Sequence, residues 1–234
     1  MEPDRQAYDR GQTIFSPDGR LYQVEYAREA VSRGSPSVGV RTAEGPVLAA
    51  RRPLRSPLIE PESVAKIHEI DDHAAVAAAG HAADARRLVE VGREAATGHR
   101  IRYDEPIGTD ALARAVADHV QEHTQTGGSR PYGTALLVAG TDGGLFEVDP
   151  GGTVAGWRAG AIGADAREVR SVLAEGLEDE PGTLDRGIEL ALGALAREDS
   201  LEPEEVAVAT PDAGEPATFS RLSSAEIDRF TPAS

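Results

Sequence analysis

Residues 74–79 read Ala74-Ala75-Val76-Ala77-Ala78-Ala79, six small apolar side chains in succession with no polar residue on either face. A strand wetted on one side alternates apolar and polar residues, whereas one that does not alternate is covered on both sides. Upstream, 64–70 is a candidate partner strand joined through Asp71-Asp72, and 37–42 with 46–50 form a hairpin pattern around Glu44-Gly45. Downstream, Ala85, Leu88, Gly92 and Ala95 share one helical stripe between Ala82 and Ala96, with Gly98 where a helix stop belongs. Leu112, Val116 and Val120 recur every four residues between Asp110 and His123, behind Thr109 or Asp110 as cap. Strands return over 134–158, punctuated by Asp142-Gly143 and Asp149-Pro150-Gly151-Gly152. A helix from about Asp165 then carries Val169, Val172, Leu173 and Leu177, and another, capped by Thr183, carries Leu184, Ile188, Leu192 and Leu195. Strand 205–210 follows, and Ser223-x-x-Glu226 is a capping box opening a short last helix with Ile227 and Phe230. Strand blocks separated by helix pairs predict an α+β layered domain rather than a doubly wound sheet. No linker and no repeat divides it, so residues 1–234 are read as one domain.

The amino-terminal stretch differs. Residues 1–12 are polar and unpatterned, and Ser16-Pro17-Asp18-Gly19 is a strong turn. A helix is expected over roughly 20–32, with Leu21, Val24 and Val31 on one stripe. An apolar face placed before the core strands begin packs either as a satellite or against another copy of the protein.

Charge and composition exclude several function classes. The 234 residues hold 40 acidic against 24 basic side chains, a formal charge of −16. A general nucleic-acid binder needs cationic surface to displace counterions from phosphate, and this balance runs the other way. No run is apolar enough to span a membrane, and the first residues lack the apolar core of a signal peptide, so a cytoplasmic location is expected. The absence of cysteine removes disulfides, thiolate metal sites and cysteine nucleophiles. Of the basic residues, only Lys66 is a lysine; all the others are arginine. Acidity spread along the whole chain suits a cytoplasm where salt screens self-repulsion. One ammonium kept among so many guanidinium groups suggests a site where a compact point charge serves better than a planar fork, with a carboxylate as the natural partner.

Motifs for chemistry are sparse. His119-Val120-Gln121-Glu122-His123 fits H-x-x-E-H, the inverted zinc-peptidase pattern, with both imidazoles on one helix face. It lacks an evident third ligand, so no metal and no cofactor is assigned. Neither G-x-S-x-G nor a phosphate-cradling G-x-x-x-x-G-K-[ST] loop occurs.

Beyond these single motifs, one long run is specific. Tyr8-Asp9-Arg10, followed by Phe15-Ser16-Pro17-Asp18-Gly19-Arg20-Leu21-Tyr22-Gln23-Val24-Glu25-Tyr26-Ala27-Arg28-Glu29-Ala30, resembles the opening signature of proteasome α subunits. Further similar segments are Ser63-Val64-Ala65-Lys66-Ile67, Ala82-Ala83-Asp84-Ala85-Arg86, Thr124-Gln125 with Gly127-Gly128, Arg130-Pro131-Tyr132-Gly133, and Ala161-Ile162-Gly163. The likeness covers essentially the whole chain in order, and the acidic composition is similar to that of haloarchaeal members.

The resemblance implies the four-layer α/β/β/α sandwich of the amino-terminal-nucleophile (Ntn) hydrolases, from about residue 35 to residue 234. It implies a heptameric α ring capping rings of β subunits, which hold the catalytic threonine. In such a β subunit the nucleophile would stand near Ser35, freed by cleavage after Gly34. Here Ser35-Pro36 follows an α-type extension, and a terminal nucleophile needs its own free amine. The resemblance therefore implies a non-catalytic subunit; the alternative is a self-processed terminal-nucleophile hydrolase.

By the same likeness Tyr8, Asp9 and Arg10 match the gating tail, Pro17 the turn that positions it, and Tyr26 its partner on the first helix. Lys66 matches the pocket lysine that meets the terminal carboxylate of a regulatory ATPase tail. Gly19, Leu21, Glu25, Gly34 and Gly80 match positions near that pocket. Thr126, Gly127 and Gly128 match the loop that narrows the channel for unfolded substrates. Three residues depart from the family pattern: Gly11, which should loosen the tail, His81 beside the pocket, and Thr126 where many relatives carry tyrosine.

Overall fold

The computed structural model describes residues 22–54, 56–125, 130–177, 182–196, 201–212 and 214–230. Ten strands make two five-stranded antiparallel sheets. The first joins Ser37–Thr42 (β1), Gly45–Arg51 (β2), Ala159–Ile162 (β8), Val206–Pro211 (β9) and Phe219–Arg221 (β10) in the order β10-β9-β2-β1-β8. The second joins Ile67–Asp71 (β3), Ala74–Gly80 (β4), Thr134–Gly140 (β5), Leu145–Val148 (β6) and Val154–Gly156 (β7), in chain order. Helices are Tyr22–Ser32 (α1), Ala82–Tyr103 (α2), Thr109–Gln125 (α3), Ala166–Gly176 (α4), Leu184–Ala196 (α5) and Ser224–Ile227 (α6).

The small residues of β4 explain the layering. Ala75, Ala77 and Ala79 point between the sheets, meeting Leu48, Leu137, Leu145, Ile162 and Phe219. Ala74, Val76 and Ala78 point the other way, onto Leu88, Val89, Leu112 and Val116 of α2 and α3. On the far side α4 and α5 bury Val169, Leu173, Ile188, Leu192 and Leu195 against Val38, Val40, Val47, Ala49 and Val208. The result is helices, sheet, sheet, helices: the α+β sandwich of the Ntn-hydrolase type expected from the sequence.

Four local features differ from the sequence reading. Gly98 does not stop α2, which continues to Tyr103 and ends at Asp104 in the left-handed conformation (φ 58°), its N–H bonded to the Arg100 carbonyl at 2.9 Å. A Cβ at Gly98 would touch nothing within 4 Å, so this glycine sits on an open face where the helix tolerates it. The start of α3 is capped not by its own residues but by Asp142 in the β5–β6 turn, which accepts from the Thr109 N–H at 3.0 Å and from the Thr109 hydroxyl. Strand β3 begins only at Ile67, leaving Lys66 at the mouth of the sheet. Strand β10, three residues pairing with β9, carries no periodicity long enough to read. Among the features that agree, the Ser223/Glu226 capping box closes reciprocally, and Thr183 accepts from the Arg186 N–H at 3.3 Å.

Two outer edges carry arginines. The Lys66 carbonyl accepts from Ala78 of β4 at 3.0 Å, so alternation turns the Ile67 and Glu69 carbonyls outward. Arg221 donates to the first at 2.6 Å, and Arg93 donates twice to the second, at 3.0 and 2.7 Å. On the other sheet Arg170 donates to the Ala161 carbonyl of β8 at 3.0 Å.

Candidate functional site

The end of α1, the turn leading into β1, the approach to β3, the end of β4 and the start of α2 converge around a concavity of about 800 Å³. Its walls include Tyr26, Gly34, Lys66, Gly80 and His81. The turn is held tightly: the Gly34 N–H donates to the Val31 carbonyl at 2.8 Å, and the Gly34 carbonyl accepts from Ala164 at 2.7 Å. Two glycines let backbones touch here. A Cβ on Gly34 would lie 2.2 Å from the Gly80 nitrogen, and one on Gly80 (φ 114°) would lie 2.2 Å from the Gly133 carbonyl oxygen. Side chains at either position would push apart the strands and turn that frame the pocket.

Lys66 is the half-buried cation of this pocket. Its Nζ donates to the Ser35 carbonyl at 3.2 Å, and no carboxylate pairs with it among the described residues. Burial pushes its amine down to about 8. The neighbouring His68 imidazole is driven to about 4, by burial first and then by Arg221, Arg93 and Lys66. Arg33 on the pocket wall is already paired with Glu29. A partly desolvated ammonium without a counter-charge is suited to receive a carboxylate from outside the chain.

A second concavity of about 440 Å³ shares Tyr26, Ala30, His81 and Ala82 with the first and extends to Asp84, Arg130 and Pro131. Here the charge is satisfied. Arg130 grips the buried Asp84 carboxylate with bonds of 2.7 and 2.8 Å, and the Gly133 N–H adds a third at 2.8 Å. Burial alone would raise the Asp84 carboxyl; the Arg130 guanidinium and the Gly133 amide outweigh it and hold the group below the usual carboxylate range. The sequence reading passed over this tie, although both residues lie in segments singled out by their family likeness. The signal was an acid in the first turn of α2, where a helix N-terminus favours it.

The structure brings together Lys66, Gly34, Gly80 and Tyr26. Tyr26 is 48 % exposed and lies in the wall shared by both concavities. Glu25 is exposed on the same helix but does not line either concavity. Tyr8, Asp9, Arg10, Gly11, Pro17, Gly19 and Leu21, and Thr126, Gly127 and Gly128, lie outside the described residues. The H-x-x-E-H pattern is engaged otherwise: His119 Nε2 lies 3.1 Å from the Tyr132 hydroxyl, and His123 stacks on the Tyr132 ring at 4.5 Å. No cluster of three metal-ligating side chains forms among the described residues. The Ser35 carbonyl is engaged by Lys66 and that of Gly34 by Ala164, within continuous backbone.

Comparison with known proteins shows the family. The family described as proteasome subunit matches residues 31–210, and the N-terminal signature of the A-type proteasome subunits matches 8–30. The proteasome alpha 1 subunit of Haloferax volcanii is 53 % identical, covering 99 % of this chain and 93 % of that protein. The proteasome alpha subunit of Halobacterium salinarum is 54 % identical over 97 % of this chain and 90 % of its own length. The corresponding subunit of Natronomonas pharaonis is 51 % identical, over 97 % and 91 %.

Proposed function

Because the chain belongs to the proteasome subunit family, among its α subunits, we propose that it forms the outer heptameric ring of the 20S core, gates the passage of unfolded substrates and docks a regulatory ATPase. The α class is the non-catalytic one: it assembles with further α subunits and with β subunits, and the β subunits hold the catalytic residues. Residues 1–234 act as one α-type domain working in the cytoplasm.

The observation that carries the docking reading is the half-buried Lys66 amine, without a carboxylate partner among the described residues, in a pocket framed by two glycines. A terminal carboxylate entering the pocket would gain a charge-assisted hydrogen bond in a partly desolvated setting, where it is stronger than in water. Its peptide would lie along Gly34 and Gly80, close to backbone that bears no side chain. The wall it presses includes Tyr26 and the end of α1, the helix that follows the Pro17 turn and the Tyr8–Asp9–Arg10 tail. Differential binding to the open arrangement of that tail would bias a two-state gate. Gly19 and Leu21 are assigned to the docking region contributed by this amino-terminal segment, with Glu25 on α1 outside the concavity walls, and Thr126–Gly127–Gly128 to the channel constriction.

The test uses particles assembled from this subunit with its β partner. Lys66→Ala should abolish stimulation of peptide hydrolysis by the ATPase or its tail peptides; full stimulation in that variant refutes the docking role. Deleting residues 1–12 should raise basal peptide hydrolysis without any activator, and an unchanged basal rate refutes the gate. Thr126→Tyr should slow degradation of a loosely folded substrate, and unchanged rates remove the constriction assignment.

A further inference from the structure

The pocket that holds Lys66 presents an uncommon amine. It belongs to the only lysine in the chain, it is half-buried, and its described contact is the neutral Ser35 carbonyl. The titratable and charged groups around it come from three elements. Tyr26, Glu29 and Arg33 stand on or just after α1, His81 precedes α2, and His68 lies on β3. The one carboxylate of this set, Glu29, is bound to Arg33. Nothing in this set holds a proton on the amine.

We infer that Lys66 is a site of Nε-acylation by small activated acyl groups, carried as acyl phosphates or acyl thioesters, and that acylation removes the charge on which activator docking depends. The second half rests on the docking reading; the first does not. The neutral Nζ attacks the carbonyl carbon, a C–N bond forms, and the bond from that carbon to the phosphate oxygen or the thiol sulfur breaks. The bonding pair leaves with the phosphate or thiolate, and the surplus proton on nitrogen passes to water. The product is a neutral amide, and the concavity of about 800 Å³ leaves ample room for an acetyl group beside the Ser35 carbonyl. With the amine lowered to about 8, about a quarter of it is unprotonated at about pH 7.5, against roughly 0.1 % for an ordinary lysine. The weaker nucleophilicity of a less basic nitrogen takes back roughly a factor of ten of that advantage, by analogy with thiols.

The experiment compares Lys66 with an exposed amine in the same molecule. Arg86 is exposed on α2, so the full-length Arg86→Lys variant carries its own reference. Assembled particles are treated with acetyl phosphate in one arm and acetyl coenzyme A in the other, and acetylation is followed by peptide mass mapping, which separates the α-amino group. Lys66 should react about tenfold faster than the reference at pH 7.5. Its rate should level above about pH 8, while the reference keeps rising, and the arm that shows this identifies the donor class. Equal or slower reaction of Lys66 with both donors overturns the proposal. In particles without the Arg86 substitution, stimulation by tail peptides should fall in proportion to the acetylated fraction, and Lys66→Gln should reproduce the loss. If Lys66 acetylates fast and stimulation persists, the link to docking fails while the modification site stands.

Discussion

Two cations stand on either side of the wall formed by Tyr26, Ala30, His81 and Ala82, and they are treated oppositely. Arg130 is more than half exposed, yet both of its terminal nitrogens are spent on the buried Asp84, tying the start of α2 to the segment before β5. Lys66 is more deeply placed, yet among the described residues its partner is a carbonyl. The first arrangement is what stability selects: a buried carboxylate with three hydrogen bonds, and a guanidinium whose fork matches it. The second stores a cost, since burial disfavours the charged amine and nothing in the described chain offsets it. A cost retained beside a neighbour that shows how to avoid it is what the proposed docking role requires of Lys66.

The contrast can be broken by substitution, starting where the effect is largest. Lys66→Arg keeps the charge but changes its shape, and stimulation by tail peptides should be lost, as for Lys66→Ala; normal stimulation would show that any cation suffices. Asp84→Asn should cost about 2–4 kcal/mol in denaturant unfolding, because it unpairs Arg130 and weakens the bond to Gly133. The Asp84 carboxyl is held below its unfolded value, so its contribution is present above about pH 4 and is lost as the pH falls through the lowered value. The stability difference between the Asp84→Asn variant and the parent should therefore shrink in acid, and a pH-independent difference would assign it to packing.

Lys66→Met should do the reverse and stabilise the subunit by about 2 kcal/mol at pH 7, a value discounted for solvent screening. The sign follows from the amine being lowered to about 8: between there and the unfolded value near 10.4 the unfolded chain binds more protons. The penalty is thus complete below pH 8 and relieved as the pH rises, so the gain from methionine should vanish by about pH 10. A loss of stability at pH 7 would mean that the ammonium has a counter-charge after all. The smallest effect belongs to Arg130→Lys, about 1 kcal/mol, because a point charge keeps the ion pair but forfeits one of two bonds.

Much of this was legible in the sequence for local reasons. The two-sided burial of β4 follows from its alanines, and the Ser223/Glu226 box and the Thr183 cap are decided within four residues. Gly98 misled because a stop signal is only a preference; on an open helix face it loses to continued packing of α2 until Asp104 turns left-handed. Asp142 capping Thr109, and Arg130 gripping Asp84, join residues 33 and 46 positions apart, and no local pattern encodes such pairs. Gly34 and Gly80 were legible only through family likeness. Their physical reason, backbone against backbone, exists only once the turn before β1 meets the end of β4.

The arginines along β3 and β8 bear on how copies of this chain can meet. A bare outer strand is a template that the next molecule can extend indefinitely, and head-to-tail growth of that kind ends in fibres. With the Ile67, Glu69 and Ala161 carbonyls already occupied, strand-to-strand growth has no free acceptors at these points. In a chain that holds almost all its positive charge as arginine, three of those arginines close carbonyls along two outer strands.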